Sequence, residues 1–197
     1  MGHLIKHYAL EAGALEIQYI EEFFGEFGRK KSATEIVERL ADREHLIHII
    51  EAPLTDDPGQ ISPIAFKVGH EIRAEETIPK LADLVRRLDG AVNFNDNRKV
   101  LYAWIGGTRR DWRGQGFFRA LSEEQEAWAL ANGFHEIVVK TKNKFYEMRG
   151  TLDNLEFQVV KYERHADDNG ESKVYLSKKL DASVLKSHRL TRTVVQA

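Results

Sequence analysis

Val100-Leu101-Tyr102-Ala103-Trp104-Ile105-Gly106-Gly107-Thr108-Arg109-Arg110-Asp111-Trp112-Arg113-Gly114-Gln115-Gly116-Phe117-Phe118 is the stretch on which the reading turns. It opens as an apolar run of strand character over residues 100–106. It closes on two glycines ahead of a segment in which Phe117, Leu121, Trp128 and Leu130 mark a helix. A strand, a glycine loop and a helix start make a natural anion site, because amides without an intrahelical acceptor and the helix dipole both face what lies ahead. Gly114 and Gly116 leave no side chain where a diphosphate would approach the backbone, and Arg113 adds a fixed positive charge. The same pattern also serves as an ordinary turn, and these residues alone do not separate the two. Two other phosphate-binding patterns fail on spacing: the Walker loop needs Lys then Ser or Thr after its second glycine, and the dinucleotide loop needs three glycines and a downstream acid.

Working outward, residues 3–9 have weak strand character, and Leu15, Tyr19, Ile20, Phe23, Phe24 and Phe27 fall on one side of a helix that Gly25 and Gly28 loosen. Ser32 with Glu35 predicts a capped helix start, with Ile36, Val37 and Leu40 as its buried stripe. Residues 45–52 and 61–70 read as two antiparallel strands joined through the turn Asp56-Asp57-Pro58-Gly59. Ile78, Leu81, Leu84, Val85 and Leu88 place a helical insertion within residues 71–99. The helix after the glycine loop is expected to stop at Asn132-Gly133, and residues 135–140 form a short buried strand. Residues 143–153 read as helical. Residues 155–163 and 173–180 read as a hairpin closed by a tight turn at Asp168-Asn169-Gly170. The expected organisation is one domain over residues 1–181 and a basic tail over 182–197.

Composition narrows the function. The chain has 197 residues, 42% of them hydrophobic, enough for one substantial core. Its 29 basic and 31 acidic residues give a formal charge of -2, so no overall field recruits nucleic acid or an anionic membrane. With no cysteine there is no disulfide, thiolate metal site or acyl-cysteine intermediate, and the histidines show no metal-ligand spacing. No leader or membrane span is apparent, which points to the cytoplasm.

The segment from Trp104 to Gly116 resembles the fourth strand and pyrophosphate loop of the GNAT acyltransferases, whose loop reads Arg or Gln, two variable residues, Gly, one variable residue, then Gly or Ala. Arg113, Gly116 and an additional Gly114 match, whereas Phe118 stands where the last small residue falls. The likeness spans residues 30–180 in element order. It includes Ala131-Asn132-Gly133-Phe134, Ile137-Val138-Val139-Lys140, Asn143, and Leu155-Glu156-Phe157 where many members have Leu-Gly-Phe. Phe66-Lys67-Val68-Gly69 and Lys140-Thr141-Lys142-Asn143 are similar to segments of a group of uncharacterised bacterial members.

The resemblance implies an α/β fold of the α+β type in three layers, a mixed and mostly antiparallel sheet of six or seven strands flanked by helices. It implies acetyl transfer from acetyl-CoA to a primary amine, small molecule or peptide, by direct attack in a ternary complex without a metal. The pyrophosphate would lie on Arg113, Gly114, Gln115, Gly116, Phe117 and Phe118. The pantetheine arm would run along the backbone of Ile105, Gly106, Gly107 and Thr108, with Asn143 reaching its amides. A homodimer is left open. Leu152 occupies the position of the family's proton-donating tyrosine, and Tyr146, three residues after Asn143, is the substitute candidate. Glu71, with His70 beside it, is the candidate general base at the end of the third strand, and Asp111 is read as orienting the loop. Tyr102 and Trp104 share a strand face and serve either the sheet core or an acceptor cleft, and Trp128 is a core residue. The alternative to an enzyme is a non-catalytic acyl-CoA-binding or regulatory module of the same fold.

Overall fold

The computed structural model describes residues 3–11, 15–23, 31–53, 59–94, 98–189 and 192–196. The described elements are, in order, β1 (His3–His7), α1 (Leu15–Phe23), α2 (Ala33–Leu40), β2 (His45–Pro53), β3 (Ile61–Ile72), α3 (Pro79–Leu88), β4 (Lys99–Thr108), α4 (Phe117–Ala131), β5 (Phe134–Lys142), α5 (Tyr146–Asn154), β6 (Gln158–Glu163), β7 (Lys173–Lys179) and β8 (Arg192–Gln196). The expected helix end at Gly25 and Gly28 and the turn residues Asp56, Asp57 and Pro58 lie outside the described residues. Local chemistry accounts for several boundaries. Ser32 Oγ accepts the Glu35 amide at 3.1 Å and starts α2, although the Glu35 carboxylate turns to Lys31 instead of completing a capping box. Pro79 occupies the first turn of α3, where its missing N–H costs nothing. Gly133, at φ 75°, takes the left-handed conformation just beyond α4.

The strand order is β6-β7-β5-β4-β3-β2-β1-β8. β1–β2, β2–β3, β5–β7 and β6–β7 are antiparallel, and β4–β5 and β1–β8 are parallel. The sheet is thus mixed and mostly antiparallel, with helices beside it, as expected. The first seven strands come from residues 1–181. The eighth corrects the reading of the tail: Arg192–Gln196 is a strand, paired from His3↔Arg192 to His7↔Gln196. β4 and β5 run parallel because α4 carries the chain back between them.

The chain divides into two compact units. In the first, formed by Met1–His70, Ile105–Ser122 and Arg189–Ala197, the strand residues Ile5, Ile50, Ile64 and Ala65 bury Phe117 and Leu121 of α4. In the second, formed by Glu71–Trp104 and Glu123–His188, Leu81, Leu84 and Leu88 of α3 pack with Val100, Tyr102, Val138 and Tyr175, and Trp104 lies against this core. Tyr102 and Trp104 therefore serve sheet packing. Trp128 is half-buried, its ring 5.6 Å from that of Phe134.

The β6–β7 connection differs from the expected tight turn. The strands are joined by a longer loop containing a 3-10 turn at Asn169–Glu171, in which the Asp168 carboxylate accepts the Gly170 amide at 2.7 Å. The aspartate side chain makes the turn, so Gly170 needs no left-handed conformation.

Candidate functional site

In the first unit, β4 is fastened before the loop begins: the Arg109 amide donates to the Ile64 carbonyl at 2.9 Å and its guanidinium to Ser62 Oγ at 3.3 Å. A 3-10 turn, Arg110–Trp112, follows. Asp111 is exposed and lies 3.6 Å from the Arg109 guanidinium. Arg113 Nε donates back to the Thr108 carbonyl at 3.1 Å. Beyond it Gly114 and Gly116 have φ of 75° and 85°, a region that side chains with a Cβ disfavour. A Cβ built on either would meet no atom within 4 Å, so open space and not crowding lies in front of both. The Trp112 and Phe117 rings meet edge-on at 6.0 Å and clasp the two ends of the glycine segment. The first turn of α4, which lacks intrahelical acceptors for its amides, thus follows two residues whose backbone is open to an approaching anion.

In the second unit, β5 leads into a turn at Asn143 and not directly into helix. Asn143 is buried, its amide donates to the Ser172 carbonyl at 2.8 Å, and its side-chain oxygen accepts from the Arg149 guanidinium. Tyr146 is the first residue of α5 and is 66% exposed. The expectation that residues 143–153 are helical therefore fails at its start, since Asn143 precedes the helix and helical spacing does not relate it to Tyr146. α5 ends with Glu156 at φ 65°, the Phe157 amide donating to the Leu152 carbonyl at 3.0 Å and the Glu156 amide to that of Asp153 at 2.8 Å. This is a Schellman cap with glutamate where glycine is preferred. The β4–β5 ladder runs from Lys99↔Phe134 to Tyr102↔Val138, whereas β4 continues to Thr108 and β5 to Lys142.

No family model and no curated protein sequence matches this chain. Solved structures do. NAA60 of Arabidopsis thaliana in complex with a bisubstrate analogue is 11% identical, with 90% of this chain and 98% of that one covered at a TM-score of 0.63. A chain of the NatC complex bound to Gag peptide and CoA is 14% identical, with 92% and 100% covered at 0.64. The phosphinothricin acetyltransferase of Sinorhizobium meliloti in complex with acetyl-CoA, a GNAT superfamily protein, is 12% identical, with 91% and 89% covered at 0.61.

This chain has the GNAT fold.

Within the GNAT fold, Ile105, Gly106, Gly107 and Thr108 form the last part of β4, and Gly106 explains itself locally: a Cβ there would stand 3.1 Å from the Phe66 carbonyl. Leu152 is fully buried in α5 and has no proton to give. Glu71 lies inside β3, its carboxylate held by the Arg73 guanidinium at 2.7 and 2.9 Å, and His70 is fully buried on the same strand. Tyr175, also buried, already donates its hydroxyl to Glu163 at 3.1 Å, and burial together with that carboxylate pushes its pKa up, which suits a structural group better than an acid. Three neighbours escaped the sequence reading: Arg149 beside Asn143, and Lys67 with Ser122 behind the loop. Only Lys67 left a trace, in the Phe-Lys-x-Gly segment.

Proposed function

We propose that this protein is an N-acetyltransferase that moves an acetyl group from acetyl-CoA to a primary amine in a ternary complex. The observation that carries the reading is the pair of left-handed glycines, open to the front, immediately before α4 at the end of β4. Such a segment offers amides and a helix N-terminus to a diphosphate, so the residues present fit coenzyme A. In this reading Arg113, Gly114, Gln115, Gly116, Phe117 and Phe118 hold the pyrophosphate, and the backbone of Ile105, Gly106, Gly107 and Thr108 holds the arm, which Asn143 orients. The amine nitrogen attacks the thioester carbonyl, the carbon–sulfur bond breaks, and the departing thiolate takes a proton from Tyr146. The amine must shed a proton to attack, and Glu71 is the candidate to receive it. Its ion pair with Arg73 has to loosen first.

Peptide and small-molecule amines both remain acceptors of the right class, since NatC is solved with a peptide and phosphinothricin acetyltransferase is named for a small substrate. A non-catalytic acyl-CoA-binding module is the second reading, favoured by Leu152 at the usual acid position and by the Glu71–Arg73 pair. An acetyl-CoA turnover screen against polyamines, amino acids, aminoglycosides and peptide N-termini decides between them. Transfer to any acceptor supports the enzyme. Calorimetric binding of coenzyme A with no transfer across the panel supports the module.

A further inference from the structure

Lys67 is a lysine in the middle of β3 with only 4% of its surface exposed. Lysine is rarely buried unless its charge has a task or a partner. Its ammonium donates to Ser122 Oγ at 2.6 Å, Ser122 Oγ donates to the Phe118 carbonyl at 2.8 Å, and the same ammonium lies 4.7 Å from the centre of the Phe118 ring. Phe118 is thus gripped twice, by its carbonyl through Ser122 and by its ring through a cation–π contact. The register places Lys67 opposite His48, whose imidazole is pushed down to about 3 by burial first, then by His7 and by the Lys67 charge. That neighbour stays neutral, so it sets no second positive charge beside the ammonium.

Phe118 is the second residue of α4 and stands where the resembled loop has a small residue. The structure explains the exchange: the ring is the surface on which the buried ammonium rests. We propose that Lys67 is a positioning residue for the diphosphate of coenzyme A. It fixes the first turn of α4 through Ser122 and Phe118 and sets a buried positive charge behind the amides. The inference rests on the cofactor reading given above. It adds a second source of charge to the exposed Arg113, one that solvent and salt screen less.

The test is calorimetry on the full chain with coenzyme A and with pantetheine, which lacks the diphosphate. Lys67→Met keeps the length of the side chain and removes the charge. It is expected to weaken coenzyme A by roughly tenfold or more, the size of losing one charge-assisted hydrogen bond, while pantetheine affinity stays within about twofold. If that variant does not fold, Ser122→Ala cuts the link to Phe118 and leaves the charge. It is then expected to weaken coenzyme A several-fold with the same indifference to pantetheine. Wild-type affinity for coenzyme A in the folded Lys67→Met protein, or in Ser122→Ala where Lys67→Met does not fold, overturns the inference, as does an equal loss for both ligands. A wild-type chain that binds no coenzyme A overturns the cofactor reading itself, and this inference with it.

Discussion

Replacing Gly116 by alanine separates two reasons for a glycine that usually arrive together. At φ 85° an L-residue costs about 1–2 kcal/mol, and alanine recovers about 0.4–1 kcal/mol by restricting the unfolded chain, so the net destabilisation is about 1 kcal/mol. No clash adds to this, because the new Cβ meets no atom within 4 Å. A loss of that size lowers the melting temperature of a chain this long by about 2–4 °C and leaves the protein folded. The ligand tells a different story. If the diphosphate occupies the open space, the methyl group displaces it from at least one amide, and a hydrogen bond to a charged group is worth about 1.5–3 kcal/mol, or a ten- to hundredfold loss of affinity. Thermal unfolding and coenzyme A titration are measured on the same preparation. Gly90→Ala is the control, since Gly90 also has positive φ, at 76°, with an equally open Cβ position after α3. The control is expected to lose stability in the same measure and no affinity. Should Gly116→Ala bind coenzyme A as the wild type does while melting like the control, the amide cradle is not where the diphosphate lies.

Tyr146→Phe removes the hydroxyl of a residue that is 66% exposed, so stability is expected to hold while turnover falls about 10²-fold, measured where chemistry limits the rate; an unchanged rate hands the proton to water. Glu156→Gly is expected to stabilise by about 0.5–1 kcal/mol in chemical denaturation, since glycine relieves the φ 65° strain of the α5 cap at the cost of a looser unfolded chain, and a destabilised variant would contradict the strain argument. His48 titrates at about 3 in the folded chain against an ordinary histidine value of 6.5, so its unfolded form binds the proton first. Its share of stability is complete above about pH 6.5 and falls as pH drops toward 3, with a slope of up to about 1.4 kcal/mol per pH unit. His48→Gln, followed by urea unfolding between pH 4 and 7, should flatten that slope, and an undiminished slope assigns the acid sensitivity to other groups.

What was legible in the sequence is what local chemistry writes. The apolar run of β4, the glycine loop, the α4 stripe ending at Gly133 and the Ser32 cap each carry their signal within a few residues of the feature, and each is found where expected. The misses are of other kinds. The strand Arg192–Gln196 has little pattern of its own and exists by pairing with His3–His7 at the far end of the chain. The Asp168 side chain replaced the left-handed turn that Asn-Gly advertises. Asn143 looked helical by spacing, but the helix begins only at Tyr146. In the candidate site, Lys67 and Ser122 are 55 residues apart, and a hydrogen bond across such a separation leaves no local mark.

The departures from the resembled pattern are where the structure teaches most about function, and they are not alike. Phe118 replaces a small residue, and the chain supplies Lys67 and Ser122 to receive it, so the loop keeps its form by other means. Glu156 replaces a glycine, and both hydrogen bonds of the α5 cap survive at the cost of a φ of 65°. Leu152 has no such counterpart: it is sealed in α5, and neither Glu71, tied to Arg73, nor Tyr175, tied to Glu163, is disposed to act in its stead. Two of the departures keep the hydrogen bonds of the glycine loop and of the α5 cap, while the third falls at the position the resemblance assigns to the proton donor. In the proposed activity, coenzyme A binding needs only the loop, whereas catalysis turns on whether the exposed hydroxyl of Tyr146 does what Leu152 cannot.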